Sequence, residues 1–432
     1  MNPPPTARPS TSNTSPPDWR TWLLIGATGF GGPAAQIALL HRELVERRRW
    51  LDEEEFLAAM RVCMLLPGPE AQQLATYAGW RLGGWRHGLL AGGLFVLPGA
   101  VLVTALAWLH AVGEKILLVA AAFNGTRPAV VALVALAAWR IGKKSITTGI
   151  TAAMALVAMS MLGAGVPFPV VILVAGLIGF LSPMPLLLPS GRAEPQQVAP
   201  LLTKDAPDSS RQGTLRHAIA ILLAAAAIWL ASYGAVGLLP LAPSRGRAIA
   251  MLFTETTMLS FGGAYAVVPW ALDESVSRGW IAPAERFDAL AMGEATPGPL
   301  ILVVTFLGFL AGYRDDLQSS AASGLTGAGI ATWFAFLPSF AMILALAPFV
   351  GKVRASSRLG NALATVGSVI VGAIVLLGLR LAEAAFLPNS HLDPVALLVA
   401  IMAGIALLSG RLSAPIVVGL AAVVGVVRML LG

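Results

Sequence analysis

Charged residues are scarce in this chain. Only 12% of its 432 residues are charged, whereas 56% are hydrophobic, and the mean hydropathy is +0.77. A soluble domain carries about 25% charged residues, so the composition argues against an ordinary soluble fold. The net charge of +7 comes from basic residues between apolar runs, where anionic lipid would attract them. We therefore expect contact with membrane lipid and no nucleic-acid partner.

Cysteine and histidine are scarce as well. Cys63 is the only cysteine, which excludes an intramolecular disulfide, a cysteine-based metal site and two-sulfur redox chemistry. The five histidines lack the His-Glu-x-x-His spacing of a metal site, and no Gly-x-x-x-x-Gly-Lys-Ser/Thr loop is present. The sequence therefore predicts that the protein is not an enzyme and holds no cofactor or metal ion. We also do not expect ATP hydrolysis to drive the protein directly.

Apolar runs of about 20 residues, the length that crosses a bilayer, recur along the chain. They include Gly88–His110, Ile116–Trp139, Pro167–Leu188, Leu215–Tyr233 and Pro394–Leu408. The sequence thus predicts an all-α polytopic membrane protein. Residues 1–18, rich in Pro, Ser and Thr, are expected to form a disordered tail. Trp22–Leu40 is expected to direct insertion without a cleaved signal peptide.

The chain contains an internal duplication. Phe30–Trp50 begins with Phe-Gly-Gly and ends in Trp, and Phe261–Trp280 repeats this pattern. Pro-Gly-Pro follows in both places, at Pro67–Pro69 and Pro297–Pro299, and "YAGW" and "FVLPG" are then matched by "FLGF" and "AFLPS". The sequence predicts two homologous halves, residues 19–190 and 247–432, joined by a linker (191–246) with one connecting transmembrane helix.

The single connecting helix bears on orientation. If each half crosses the membrane an even number of times, the crossing at Leu215–Tyr233 inverts the second half relative to the first. With the N-terminus inside, the inner loops hold more Lys and Arg than the outer loops, as the positive-inside rule predicts. We expect inverted repeats. Whether each broken segment spans the membrane or turns back is left open at this point.

The glycines and prolines of the landmarks are expected to make the helices discontinuous. Proline removes a backbone donor and clashes with the preceding turn, and glycine is a poor helix former. Matched breaks in two repeats indicate a central substrate site, and the helix after each break has a partly positive N-terminus that attracts an anion. The alternative is that these residues are only kinks and packing notches.

The predicted substrate-binding residues comprise the breaks, two glutamines and two polar residues of a later apolar run. They are Gly31, Gly32, Pro33, Pro67, Gly68, Pro69, Gln72, Gln73, Asn124, Arg127, Gly262, Gly263, Thr296, Pro297, Gly298 and Pro299. Glutamine amides can donate hydrogen bonds to an oxyanion, and Arg127 can counter its charge. The alternative for Arg127 is a structural ion pair with a glutamate.

Glu70 and Glu294 are carboxylates beside the two Pro-Gly-Pro breaks. A carboxylate inside a membrane is costly and is a functional hypothesis by default. We expect these two residues to couple transport to protons. The alternative is that each caps a helix N-terminus or reaches the membrane interface.

At these motifs the sequence resembles the chromate ion transporter family in its two-domain form. "FGGP", "RRRWLDEEEF", "LPGPEAQQLATYAGW" and "FVLPG" are similar to that family's first-half signatures. "FGGAYAVVPW", "GEATPGPL", "TFLGF" and "FLPS" are similar to its second-half signatures. Members often carry lysine where this chain has Arg127, which keeps the charge but changes the hydrogen-bonding geometry.

The resemblance implies a multi-pass protein of the bacterial inner membrane. Such a protein is expected to export chromate and confer resistance to it, driven by the proton gradient or the membrane potential, with sulfate as the natural competitor. The partner is thus a chromate-like dianion, and both a monomer and a homodimer stay open. A channel or lipid-phosphate flippase is the alternative, and it would present a long apolar lateral groove.

Overall fold

The computed structural model describes residues 18–113, 116–182, 211–315, 320–350, 357–388 and 391–431. Within these ranges every regular element is helical. The helices are α1 (Trp19–Thr28), α2 (Gly32–His41), α3 (Glu53–Leu65), α4 (Glu70–Gly113), α5 (Leu117–Ser145), α6 (Gly149–Gly163), α7 (Phe168–Leu181), α8 (Arg211–Ala235), α9 (Pro243–Met258), α10 (Val268–Ser277), α11 (Glu285–Ala295), α12 (Val303–Tyr313), α13 (Ala321–Leu346), α14 (Ser357–Phe386), α15 (Pro394–Leu408) and α16 (Ala414–Leu431). Most of the expected tail, the end of the run at Pro167–Leu188 and the polar part of the linker lie outside the described residues.

Within the described ranges, six helical stretches are long and apolar enough to cross a membrane. They are Glu70–Gly113, Leu117–Ser145, Leu215–Leu238, Ala321–Phe349, Arg358–Phe386 and Ala414–Leu431. Large aliphatic side chains lie on the outer surface, for example Leu173 at 66% exposure and Leu430 at 69%. Such a surface suits contact with lipid chains. The prediction of an all-α polytopic membrane protein is confirmed.

Two glycines divide α4. Gly83 and Gly84 leave the helical conformation, and Gly84 has a φ of +77°, which glycine tolerates better than other residues. They separate a short arm (residues 70–82) from a long arm (residues 85–113). The long arm runs antiparallel to α13, because Gly88 lies against Leu344 while Gly92 lies against Phe340. These two long helices pack against each other.

The two halves pack crosswise. The long helix α5 of the first half contacts α15 and α16 of the second, and α14 of the second half contacts α6 and α7 of the first. Glycines permit the closest approaches: a Cβ on Gly125 would lie 2.6 Å from the Cα of Gly425, and one on Gly372 would lie 2.4 Å from the carbonyl oxygen of Ala155. The halves are therefore interlocked.

Candidate functional site

The predicted breaks form the tips of four helix pairs. In the first half the breaks separate α1 from α2 and α3 from the short arm of α4; in the second they separate α9 from α10 and α11 from α12. All six glycines predicted at these breaks have positive φ angles. These angles are +94° at Gly31, +78° at Gly32, +123° at Gly68, +78° at Gly262, +102° at Gly263 and +93° at Gly298. Residues with a Cβ are strained in this region, which explains why glycine occupies every one of these positions.

Contacts at the open ends show that three of these helix pairs are hairpins. At the base of the α3–α4 pair, Arg81 donates a hydrogen bond to Glu55 at 2.6 Å. At the base of the α11–α12 pair, Arg314 donates to Glu285 at 2.5 and 2.8 Å. Both glutamates precede the first proline of their break by the same number of residues. These two segments therefore turn back on themselves.

The α1–α2 pair turns back in the same way. The ring of Trp22, near the start of α1, lies 5.7 Å from the ring of Trp50, which follows α2. Pro33 is in the first turn of α2, where proline is well tolerated. Of the two arrangements that the sequence left open for the broken segments, these three pairs adopt the hairpin.

The tip of the first hairpin touches a tip of the other half. The amide of Gly298 donates a hydrogen bond to the carbonyl oxygen of Gly29 at 3.0 Å. The side-chain amide of Gln36 donates to the same oxygen at 3.1 Å and also to the carbonyl oxygen of Gly298. Gln36 is only 1% exposed, and within the described ranges its Oε1 has no hydrogen-bond partner. Gln36 was not among the residues predicted from the sequence, although it is the only amide side chain between Phe30 and Trp50.

The tip at Pro67–Pro69 is held by the two glutamines that were predicted beside it. The amide of Gln73 donates to the carbonyl oxygen of Pro67 at 2.8 Å, which satisfies a group freed by the break. Gln72 accepts a hydrogen bond at 2.7 Å from Ser339, a residue of α13 in the other half. Both glutamines are fully buried. In this conformation their side chains bind the protein's own groups.

Glu70, the half-buried first residue of α4, faces the second half. A Cβ on Gly263 would lie 3.9 Å from its Oε1. The Pro-Gly-Pro break of the first half therefore faces the Phe-Gly-Gly break of the second, just as Gly298 faces Gly29. Lys144, near the end of α5, is close enough for its charge to act on Glu70. The structure thus brings each Pro-Gly-Pro break next to the Phe-Gly-Gly break of the other half.

Glu294 lies near the C-terminal end of α11 and is 8% exposed. It therefore neither caps a helix N-terminus nor reaches the interface. The hydroxyl of Tyr265 donates a hydrogen bond to its carboxylate. The two side chains border an enclosed gap of about 10 Å³ whose other walls are apolar residues, among them Val130 and Leu133. Such a gap holds about one water molecule.

Arg127 and Asn124 lie apart from the tips. They line a cleft of about 510 Å³ between α5 and the ends of α14, α15 and α16, and no tip glycine or proline lines it. The guanidinium of Arg127 lies 5.8 Å from the centre of the Phe287 ring. Within the described part of the chain Arg127 has no ion pair, so the alternative interpretation, a structural ion pair with Glu70 or Glu294, does not hold in this structure.

A buried ionic cluster joins the base of the α11–α12 hairpin to the long arm of α4. The sequence did not predict this cluster. His110, near the end of the long arm, lies 2.8 Å from Glu285 and 3.9 Å from Asp288. All three side chains are less than 10% exposed. Burial alone would raise the pKa of Glu285, but the hydrogen bonds from His110 and Arg314 outweigh it and lower that pKa to about 2.

The chain is similar to known transport proteins over most of its length. The family model described as chromate transporter matches residues 19–180 and again 247–426. The chain is 33% identical to a chromate transport protein of Pseudomonas aeruginosa, over 84% of this chain and 80% of that protein. It is 28% identical to a probable chromate transport protein of Synechococcus elongatus (94% and 93% covered) and 28% identical to a chromate transport protein of Cupriavidus metallidurans (94% and 91%). No solved structure matches the chain.

Proposed function

The chain belongs to the chromate transporter family, and from this premise we propose that it exports chromate from the cytoplasm across the bacterial inner membrane. Sulfate, which has the same charge and shape, is the natural competitor at the same site. The observation that carries the proposal is the meeting of the helix breaks of the two halves, Gly298 against Gly29 and Gly263 beside Glu70. Matched breaks at a repeat interface are where such transporters bind substrate.

The two halves, in this proposal, are inverted repeats. Support comes from the long arm of α4, whose 29 residues measure about 43 Å, enough to cross a hydrocarbon core of about 30 Å. The base of the α3–α4 hairpin, where Glu55 and Arg81 meet, lies beside the start of this arm. The base of the α11–α12 hairpin, at Glu285, contacts His110 near the end of the same arm. Hairpins that enter from opposite faces would meet at the midplane.

The tips can receive a dianion through their backbone. Helix N-termini after the breaks carry unpaired N–H groups and a partial positive charge. The glycines have no Cβ to keep an anion away from these groups, and Gly31 and Gly262 are exposed. The Pro-Gly-Pro and Phe-Gly-Gly residues, Thr296, Gln72 and Gln73 would therefore form the binding surface once the tips separate.

Proton coupling is the role proposed for Glu70 and Glu294. An ionised carboxylate beside the tips would repel a dianion, whereas a protonated one would not. Tyr265 keeps Glu294 oriented by hydrogen bonding. The membrane potential alone contributes about 2.3 kcal/mol per charge at 100 mV, hence over about 4 kcal/mol for a dianion leaving an inside-negative cell. Protons would therefore regulate the export without being its necessary source of energy.

Transport into inside-out vesicles tests the proposal. Labelled chromate and sulfate are supplied outside, and a membrane potential and a pH gradient are imposed separately. A lumen-positive potential should drive chromate uptake well above that of vesicles without the chain, and unlabelled sulfate should compete. Uptake equal to that of chain-free vesicles under both gradients would overturn the proposal.

A further inference from the structure

The cleft around Arg127 is distinct from the hairpin tips. Phe287, which the guanidinium contacts, precedes Pro297 by about three turns of α11, hence by about 15 Å. Val130 and Leu133, the next residues along that face of α5, line the gap at Tyr265 and Glu294. An apolar wall therefore separates the cleft from that buried pair.

Arg127 supplies to this cleft a positive charge that no described residue compensates. Among the described residues, two other charged side chains line the cleft, Arg428 and Asp393, and they are paired with each other at 2.6 Å. Desolvation alone would raise the pKa of Asp393, but this pairing lowers it. Arg127 makes no ion pair or hydrogen bond within the described ranges, and its Nε is buried without a partner. A buried donor left unpaired is destabilising, so a ligand that accepts hydrogen bonds would be favoured here.

The surroundings orient Arg127 for such a ligand. The Phe287 ring holds the guanidinium by a cation–π contact. Asn124 lies one turn earlier on the same face of α5, is exposed, and makes no hydrogen bond within the described residues. Contact between Gly125 and Gly425 joins α5 to α16 beside these two side chains. A fixed guanidinium and a neighbouring amide together present several N–H donors to one ligand.

We infer that this cleft binds a tetrahedral oxyanion, with Arg127 as its charged ligand and Asn124 as a neutral donor, at a site separate from the hairpin tips. A guanidinium donates two parallel hydrogen bonds to two oxygens of such an anion. Chromate, sulfate and the phosphate of a phospholipid head group all share this chemistry. The apolar walls of the cleft, which include Val395, Val399 and Val424, leave Arg127 as the dominant attraction.

A thiol placed in the cleft reports on this site alone. In a full-length Cys63→Ala background, Ala384→Cys puts a thiol in the lining of the cleft, and Leu387→Cys, which is outside the lining, serves as the matched control. Both proteins are reconstituted in phosphatidylcholine vesicles and labelled with a charged maleimide in increasing sulfate, with chloride at equal ionic strength as reference. Because labelling does not depend on flux, a failure of transport at the tips would leave this readout intact.

Sulfate should slow labelling of Ala384→Cys and leave Leu387→Cys unchanged. Arg127→Gln should raise the half-protecting sulfate concentration about 10- to 150-fold, the equivalent of a charge-assisted hydrogen bond, and Arg127→Lys should raise it less. If phosphatidylglycerol vesicles protect the thiol without sulfate in an Arg127-dependent manner, the occupant is a lipid head group. Protection that Arg127→Gln leaves unchanged, or no protection by either sulfate or anionic lipid, would overturn the inference.

Discussion

The amide of Gly298 donates a hydrogen bond to the carbonyl oxygen of Gly29, so a helix break in one half is closed by a break in the other. Both groups were freed because proline and glycine interrupt their own helices, and each satisfies the other. Gln36 adds two further hydrogen bonds at the same place. We expect that this contact can open without unfolding either hairpin, as a transporter that admits an anion between its halves requires.

Orientation of the two halves is tested by labelling from each side of the membrane. In the Cys63→Ala background, Glu54→Cys lies at the base of the first-half hairpins, and Ser277→Cys is at the last residue of the second-half helix α10; both positions are exposed. Inverted halves predict that an impermeant maleimide labels them from opposite sides in intact cells and inside-out vesicles. Labelling of both from one side would contradict inversion, and the unmodified background should show no signal.

Loss of the Glu285 carboxylate should strongly destabilise the protein. Removing one member of a buried ion pair costs about 3–5 kcal/mol because the partner charge is left uncompensated. The matched control is Glu55→Gln, since Glu55 pairs with the more exposed Arg81, and such pairs contribute about 0–1 kcal/mol. Thermal unfolding in detergent should show a large drop in Tm for Glu285→Gln and a small one for Glu55→Gln. Equal drops would show that the buried cluster is not specially stabilising.

The acid dependence of stability follows from the same carboxylate. The pKa of Glu285 is lowered to about 2 in the folded chain, whereas an unfolded glutamate titrates near about 4.3. Its contribution is therefore complete above about pH 4.3 and is lost as the pH falls toward the folded value. Between these limits, the Tm of Glu285→Gln should fall less steeply with acidification than that of the unmodified chain. Parallel curves would contradict this assignment.

Glu294 should set the pH dependence of transport. When ionised it repels a dianion, and Glu294→Gln removes that charge while keeping an acceptor for the Tyr265 hydroxyl. We expect Glu294→Gln to bind chromate but to transport it with a flat pH profile, measured as flux per molecule in vesicles. Tyr265→Phe, which removes only the hydrogen bond, should shift the profile without flattening it. Normal abundance of Glu294→Gln with an unchanged profile would remove Glu294 from the mechanism.

The breaks were predictable from sequence because they are local. Proline and glycine act on their own turn of backbone, so the motifs at Gly68 and Gly298 located the tips without knowledge of the fold. The partners of these tips were not predictable in the same way. Gln36 reaches Gly298 and Tyr265 reaches Glu294 only because distant segments pack together.

For Arg127 the sequence indicated a functional residue but did not predict where its side chain would lie. A cation inside an apolar run indicates function, but the place it faces depends on the rotation of α5 against α11 and α16. That rotation is fixed by contacts such as Gly125 with Gly425, and it directs Arg127 to the cleft and not to the tips. His110 gave no sequence signal at all, because its partner Glu285 lies on a helix of the other half.

The most direct test of the central claim compares two glycine variants by chromate flux in inside-out vesicles. Gly298→Ala places a Cβ at a φ of +93°, 3.0 Å from Leu302, whereas Gly93→Ala in the long arm of α4 meets nothing within 4 Å. A left-handed residue with a Cβ is strained by about 1–2 kcal/mol, which should displace the tip but leave the hairpins folded. At equal protein abundance, we predict that Gly298→Ala loses about tenfold or more of its potential-driven chromate uptake, an effect of about 1.4 kcal/mol, while Gly93→Ala retains it. Full uptake by Gly298→Ala would contradict transport through the hairpin tips.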